Sequence, residues 1–150
     1  MRTEETVELR ELSKSNYRNI LKLKVADNQT GFVAPNSVSL AQAHFHEEAW
    51  YRGIYVGDEA IGFAMLEINT VKPEYYLWRC MIDERFQKKG YGYRAIELLI
   101  EHVKTLPNAT EFLLSYVPSE GNPKEFYQKL GFEETGEVEE GELIMRLKLS

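Results

Sequence analysis

A chain of 150 residues is about one domain long, here residues 1–150, and is large enough to bury its own core. Its hydrophobic fraction of 43% and charged fraction of 28% are ordinary for a globular protein, and no apolar run approaches the ~18 residues a membrane span needs. The net charge of −6 argues against nucleic acid as a partner, because its phosphates demand a basic face, and is compatible with a cationic substrate.

The first stretch, Met1–Glu11, lacks the apolar centre of a signal peptide, so a cytoplasmic protein without membrane contact is expected. Cys80 is the single cysteine and leaves no internal disulfide framework. Val7–Leu12 alternates apolar and polar residues as a half-buried strand does. Ser13 or Ser15 suits the cap of a helix carrying Tyr17, Ile20, Leu21 and Val25. Asp27–Ser39 is rich in turn formers and leads into a short helix around Leu40–Trp50. Arg52–Asn69 reads as two strands joined at Gly57-Asp58-Glu59, and Tyr75–Ile82 as a third, aromatic-rich strand.

A glycine turn follows, then a helix from Tyr91 to about Leu106 that Pro107 ends, with Ala95, Ile96, Leu99, Ile100 and Val103 as its buried stripe. Glu111–Val117 is a continuous apolar strand suited to a sheet interior. In the next helix Asn122 suits the N-cap, Pro123 the first turn, Glu125 a capping-box partner and Gly131 a left-handed stop. Phe132–Val138 and Glu142–Leu149 are two closing strands. The order β-α-α-β-β-β-α-β-α-β-β predicts a mixed α/β sandwich. Its sheet is mostly antiparallel with one parallel β-α-β crossover, and helices cover both faces.

The glycine turn carries the chemistry. Gln87–Gly92, between a strand and a helix, exposes successive backbone N–H groups at a helix N-terminus, where the dipole also favours an anion. Gly90 and Gly92 permit close approach of a ligand, and Lys88, Lys89 and Arg94 add charge of the right sign. A plain turn with solvated lysines would use the same residues. A P-loop is excluded, because Gly-x4-Gly-Lys-Ser/Thr is absent. Gly90–Ala95 matches G-x-G-x-x-A, yet antiparallel-looking strands precede it and no acid ends the next strand, which runs Tyr116-Val117-Pro118.

Gln87, Gly90 and Gly92 resemble the acetyl-CoA-binding motif Gln/Arg-x-x-Gly-x-Gly/Ala of the GNAT superfamily of N-acetyltransferases, and Phe126–Phe132 resembles its Tyr-x-x-x-Gly-Phe segment. Phe32–Ala43, Gly53–Leu66 and Tyr75–Gly92 look like bacterial spermine/spermidine (diamine) N-acetyltransferases. The resemblance spans essentially the whole chain and implies acetyl-CoA as cosubstrate, a small-molecule amine acceptor such as a polyamine, no metal, and relatives that are often homodimers. It implies that the amides of Gln87, Lys88, Lys89, Gly90, Tyr91 and Gly92 hold the pyrophosphate, with Arg94 and Lys129 near the phosphates. Backbone groups at Met81 and Ile82 would bind the pantetheine arm, in a splay between the strands ending near Ile82 and Val117. Tyr127 matches the tyrosine that protonates the departing thiolate. The family often has an asparagine seven residues before that tyrosine, touching the pantetheine; that slot is Glu120 here, while asparagine occurs at Asn122, the residue already placed as a helix cap.

An amine resembling lysine, with a pKa near ~10.4, is neutral to roughly one part in a thousand at pH ~7.4, a cost of about 4 kcal/mol. A carboxylate is the expected aid. Glu67, Glu48 and Asp27 are candidates, and Phe32 sits in the loop expected to select the acceptor. Two rivals remain: the same chemistry on a protein N-terminus or an antibiotic amine, and a non-catalytic CoA-binding sensor. His44 and His46 at i, i+2 do not share a helix face, so a metal site is not expected. Cys80 near the thioester reads as a buried structural thiol, and the six glutamates of Phe132–Glu142 as a charge-blunted hairpin edge.

Overall fold

The computed structural model describes residues 6–26 and 34–149; Asp27 and Phe32 lie outside them. The elements are β1 (Val7–Arg10), α1 (Tyr17–Leu21), α2 (Asn36–His44), β2 (Ala49–Val56), β3 (Glu59–Asn69), β4 (Glu74–Ile82), α3 (Tyr91–Lys104), β5 (Glu111–Tyr116), α4 (Lys124–Lys129), β6 (Glu133–Glu139) and β7 (Glu142–Lys148). This is the order expected from the sequence. The strands form one seven-stranded sheet in the order β1-β2-β3-β4-β5-β7-β6. Every neighbouring pair is antiparallel except β4 and β5.

Two apolar clusters lie on opposite faces. Ile20 of α1 and Leu40 and Ala43 of α2 join Tyr55, Phe63, Met65 and Met81 on one face. Ala95, Ile96, Leu99 and Val103 of α3 join Ala64, Leu66, Leu77, Phe112, Leu114 and Met145 on the other. Strand β3 is therefore buried on both sides, which explains its unbroken apolar run from Ile61 to Leu66.

Three local expectations change. Helix α1 stops at Leu21, so Val25 lies beyond it, and neither Ser13 nor Ser15 caps it. Asn16 holds the N-cap position and turns its side chain back to the Ser13 N–H (2.8 Å), while residue 24 is stitched to the end of β4. Helix α2 begins at Asn36, after Pro35, and ends at His44; Trp50 belongs to β2. Proline cannot continue a helix backwards but suits its start. In α4 the N-cap is Pro123, not Asn122, yet the Asn122 side chain still accepts the Lys124 N–H at 2.9 Å.

The decisive irregularity is in β4. Met65 opposes Arg79 and Leu66 opposes Leu77, so Trp78 is an extra residue without a partner on β3. A bulge of this kind bends its strand and increases the twist. It follows directly on Leu77↔Leu114, the last pair between β4 and β5. Beyond it β4 runs on to Ile82 and β5 to Tyr116 without pairing, so the sheet opens between them.

Candidate active site

The opening is a cleft of about 990 Å³ that passes through the sheet. Its walls include Val25, Ala34 and Pro35, residues 76–82 of β4, Gln87, Lys88, Gly90, Gly92 and Tyr93 from the glycine turn, Ser115–Val117, Phe126 and Tyr127 of α4, and Glu142 of β7. The cleft thus joins four segments that are remote in sequence.

The turn after β4 is built by a buried carboxylate. Asp83, 2% exposed, accepts the Arg85 N–H at 3.0 Å and Arg85 Nε at 2.8 Å, and so starts the 3-10 turn Glu84–Phe86. Burial alone would raise its pKa, but hydrogen bonds from Arg85 and from the backbone of Lys24, with the Arg85 charge, hold it below the ordinary carboxylate range. Gln87 Nε2 donates to the Ile82 carbonyl at 2.8 Å, bracing the turn against the end of β4. Lys88 and Gly90 both adopt left-handed backbone, at φ 62° and 85°. Left-handed residues in a turn favour the concave arrays of backbone N–H groups that bind anions. Gly90 is the N-cap of α3, no side chain caps that helix, and no acid occupies its first turn. The unpaired first-turn amides favour an anion there.

Gly92 is informative for a different reason. A Cβ on it would stand 3.5 Å from Ile82 Cγ1 and 3.7 Å from Phe126 Cζ, ordinary contacts, so the protein itself does not require glycine there. Both neighbours are cleft walls. A side chain longer than alanine at 92 would fill the space that a ligand lying on the α3 N-terminus needs. The residues present therefore fit a pyrophosphate.

Tyr127 is placed by how α4 ends. Gly131, at φ 103°, donates its N–H to the Gln128 carbonyl (3.0 Å), and Phe132 donates to the Tyr127 carbonyl (3.1 Å). This is the Schellman stop, and the Tyr127 and Phe132 rings pack at 5.9 Å, as its apolar contact requires. The phenol faces into the cleft with Cys80. Burial, with the nearby Cys80, pushes the Tyr127 phenol well above its usual pKa of ~10. Burial likewise pushes the Cys80 thiol up to about 12, which leaves it protonated at neutral pH.

The opposite face of the opening was not foreseen. On β5, Phe112, Leu114 and Tyr116 pack toward α3, so Ser115 points to the α2 side. On β7, Met145 and Leu143 pack toward α3, so Glu142 also faces α2. Ser115 Oγ donates to Glu142 Oε1 at 2.7 Å. Burial raises the Tyr76 pKa; Ser115 opposes this, and the charges of Glu139, Glu142 and Glu67 add to the rise. Arg79, on the same face, donates to the Trp78 carbonyl and to Gln42 Oε1 of α2 at 3.1 Å. Its buried Nε has no partner among the described residues. Burial lowers its pKa and Glu142 opposes that.

Of the residues singled out from the sequence, Met81, Ile82, Gln87, Lys88, Gly90, Gly92 and Tyr127 line the cleft. Lys89 is exposed beside it, and Tyr91 packs on the α3-side core. Arg94 pairs with Glu97 (3.5 Å) and Glu101 (3.3 Å) along its own helix. Asn122 is engaged in its turn, donating to the Ser119 carbonyl at 2.6 Å as well as capping Lys124. Lys129 is exposed, and its carbonyl accepts from Tyr93 Oη at 3.3 Å. Glu48 and Glu67 are exposed and are not cleft walls, though Glu67 sits opposite Tyr76 in the β3–β4 register. Glu142 was read with the hairpin edge, but the edge strand is β6, and β7 lies inside the sheet. The available signal was parity: position 142 shares a face with 144 and with Ser115 once β5 and β7 are paired.

The sequence profile of the acetyltransferase (GNAT) family matches residues 8–132. A spermine/spermidine N(1)-acetyltransferase of Bacillus subtilis is 29% identical, over 93% of this chain and 97% of that protein. Among solved structures, spermidine N-acetyltransferase from Vibrio cholerae in complex with CoA and spermine superposes with a TM-score of 0.74 at 21% identity, covering 95% of each chain. The PaiA N-acetyltransferase of Thermoplasma acidophilum in complex with coenzyme A gives 0.71 at 16% identity, over 96% of this chain and 99% of that one. The chain, with a cleft through a splayed sheet and a glycine turn at its mouth, belongs to the acetyltransferase (GNAT) family.

Proposed function

We propose that the protein transfers an acetyl group from acetyl-CoA to a primary amine of a linear polyamine such as spermidine or spermine. Transfer is direct, with both substrates in the cleft at once. The observation that carries this reading is the two-sided opening, with Tyr127 on its α3 side and Glu142 on its α2 side. CoA would lie on the turn Gln87–Gly92 and along β4 past Ile82 and Met81. The acceptor would enter from the α2 face.

The amine lone pair forms the new C–N bond at the thioester carbonyl as the C–S bond breaks. The ammonium proton leaves to solvent or to a carboxylate, and the Tyr127 phenol donates to the departing sulfur. Burial keeps Tyr127 protonated, so that it need only hydrogen-bond the departing sulfur to assist, and groups in this role contribute roughly 10²–10⁴-fold. Glu142 meets the acceptor's positive charge, with Glu67 and Glu139 near enough to influence Tyr76. The named activity of the Bacillus relative supports the same acceptor class.

A second reading, an acceptor that carries a carboxylate, is favoured by Arg79, whose Nε is buried without a partner among the described residues. Thiol release from acetyl-CoA separates the two. Spermidine, spermine and putrescine are compared with a lysine peptide and an aminoglycoside, for wild type and Tyr127→Phe. Saturable turnover on polyamines, reduced roughly 10²-fold or more in kcat by the substitution, is the expected result. Preference for the peptide moves the assignment to the second reading. CoA binding without turnover on any amine leaves a CoA-binding sensor.

A further inference from the structure

We propose that Asp83 is a positioning residue that couples CoA on the glycine turn to the acceptor side of the cleft. The proposal rests on the two-substrate reading given above. Its basis is the division of one buried carboxylate between two parts of the molecule. Oδ1 holds the first turn of the cofactor loop through Arg85 N (3.0 Å) and Arg85 Nε (2.8 Å). Oδ2 accepts the backbone N–H of Lys24 at 3.0 Å, across 59 residues of sequence.

The Lys24 carbonyl in turn accepts the Glu84 N–H at 2.9 Å, so residue 24 is tied at both polar groups of its backbone. The next residue, Val25, is a cleft wall on the α2 side. The Asp83 N–H is fixed to the Ile61 carbonyl at 2.8 Å, which anchors the carboxylate's own backbone to β3. On the far side of the same wall, Pro35 lines the cleft and Asn36, 4% exposed, donates to the Ile20 carbonyl at 2.8 Å and contacts Met81 Sδ at 3.7 Å. Asp83 and Asn36 are two of the three buried polar residues among those described, and both pin the α1–α2 side to the end of β4.

Binding of the pyrophosphate orders the turn that Oδ1 begins. Because the other oxygen of the same group holds Lys24, that ordering fixes the Val25 wall before the acceptor arrives. A second ligand that meets an already ordered site binds more tightly, and the effect is reciprocal. The Asp83 carboxylate is ionised throughout the neutral range, so the tie is present wherever the enzyme would work.

Asp83→Asn tests this with little change of shape. Its oxygen keeps accepting from Arg85, while its NH₂ group faces the Lys24 N–H, donor against donor. The Lys24 N–H loses its acceptor, while the backbone bond from Glu84 to the Lys24 carbonyl and the loop cap are kept. Acetyl-CoA turnover with spermidine is measured first, and then the Kd of spermidine with and without saturating CoA, by titration calorimetry.

In wild type, CoA is expected to tighten spermidine by about fivefold or more. In Asp83→Asn the CoA Kd should change by less than about threefold, while the coupling falls to about half of its wild-type value or less, the bond from Glu84 to the Lys24 carbonyl being kept. Arg85→Ala, at a side chain 64% exposed, removes the Nε bond and leaves the backbone bond at the cofactor end of the same bridge, and should lower the coupling in a chain that folds normally. The double variant should lose no more than Asp83→Asn alone, because both weaken one path. A merely structural role would weaken both ligands together and leave their ratio intact, and that result overturns the proposal. So does equal spermidine affinity with and without CoA in wild type. If no turnover with any amine is seen, the two-substrate reading fails and takes the proposal with it, whereas turnover without coupling removes the proposal alone.

Discussion

Substitutions of Gly92, to alanine and to leucine, separate what the fold needs from what a ligand needs. Gly92 lies in the first turn of α3, where alanine is favoured over glycine by up to about 1 kcal/mol. The added Cβ meets only Ile82 Cγ1 at 3.5 Å and Phe126 Cζ at 3.7 Å, so no strain offsets that gain. The alanine variant should therefore melt at the wild-type temperature or about 1–3 °C above it. Alanine is also the alternative that the resembled motif allows at this position, so Gly92→Ala should bind CoA about as wild type does, whereas the larger side chain of Gly92→Leu would project between two walls of the cleft, and overfilling an occupied site costs about 1–3 kcal/mol. The CoA affinity of Gly92→Leu should accordingly fall by roughly 5- to 150-fold. Gly90→Ala is the complement. Its Cβ would meet nothing within 4 Å, but φ of 85° makes any side chain unfavourable by about 1–2 kcal/mol, so stability and binding should decline together. Calorimetric titration with CoA and thermal melting of the three variants check this. A Gly92→Leu protein that binds CoA within twofold of wild type would refute the pyrophosphate cradle.

Glu142→Gln preserves the hydrogen bond from Ser115 Oγ and removes only the charge. Its kcat/KM for a diamine should fall about tenfold or more while that for a monoamine of equal length holds, and equal losses on both would contradict a charge-recognition role. Cys80→Ala should keep most of the activity, and mass spectrometry of protein mixed with acetyl-CoA should show no acetyl-cysteine, because a thiol pushed up to about 12 is not a nucleophile at pH 7. For Asp83 the folded pKa lies below the unfolded value of ~3.9. Its stabilisation is complete above that value and is lost as pH falls through the folded pKa, so the melting difference between wild type and Asp83→Asn should be flat from pH 5 to 8 and shrink below about pH 4.

Much of the site was legible because its chemistry is local. The glycine turn, the strand before it and the helix after it are contiguous, and their backbone amides act through positions set within a few residues. The stop of α4 was readable for the same reason, since Gly131 dictates the end of the helix that carries Tyr127. What escaped notice were residues whose role depends on which strand lies beside which. Ser115 sits in an apolar strand and Glu142 in an acidic hairpin, and nothing in either stretch announces the other. Asp83 drew no reading from the sequence, because its partner Lys24 is 59 positions away.

The sequence by itself determined the order of elements, the buried stripe of α3, the pairing of each hairpin and the place of the glycine turn at the start of α3, since all of these follow from periodicity and turn chemistry over short spans. Only the tertiary structure decided where the sheet opens, because that depends on Trp78 finding no partner on β3 directly after the last β4–β5 pair. It also decided which side of the opening each strand presents, putting Tyr127 on one face and Glu142 on the other. The physical reason is register. One extra residue in β4 turns Trp78 and Arg79 to the same face and carries the strand away from β5. No pattern within β4 alone reports which residue its neighbours will leave unpaired.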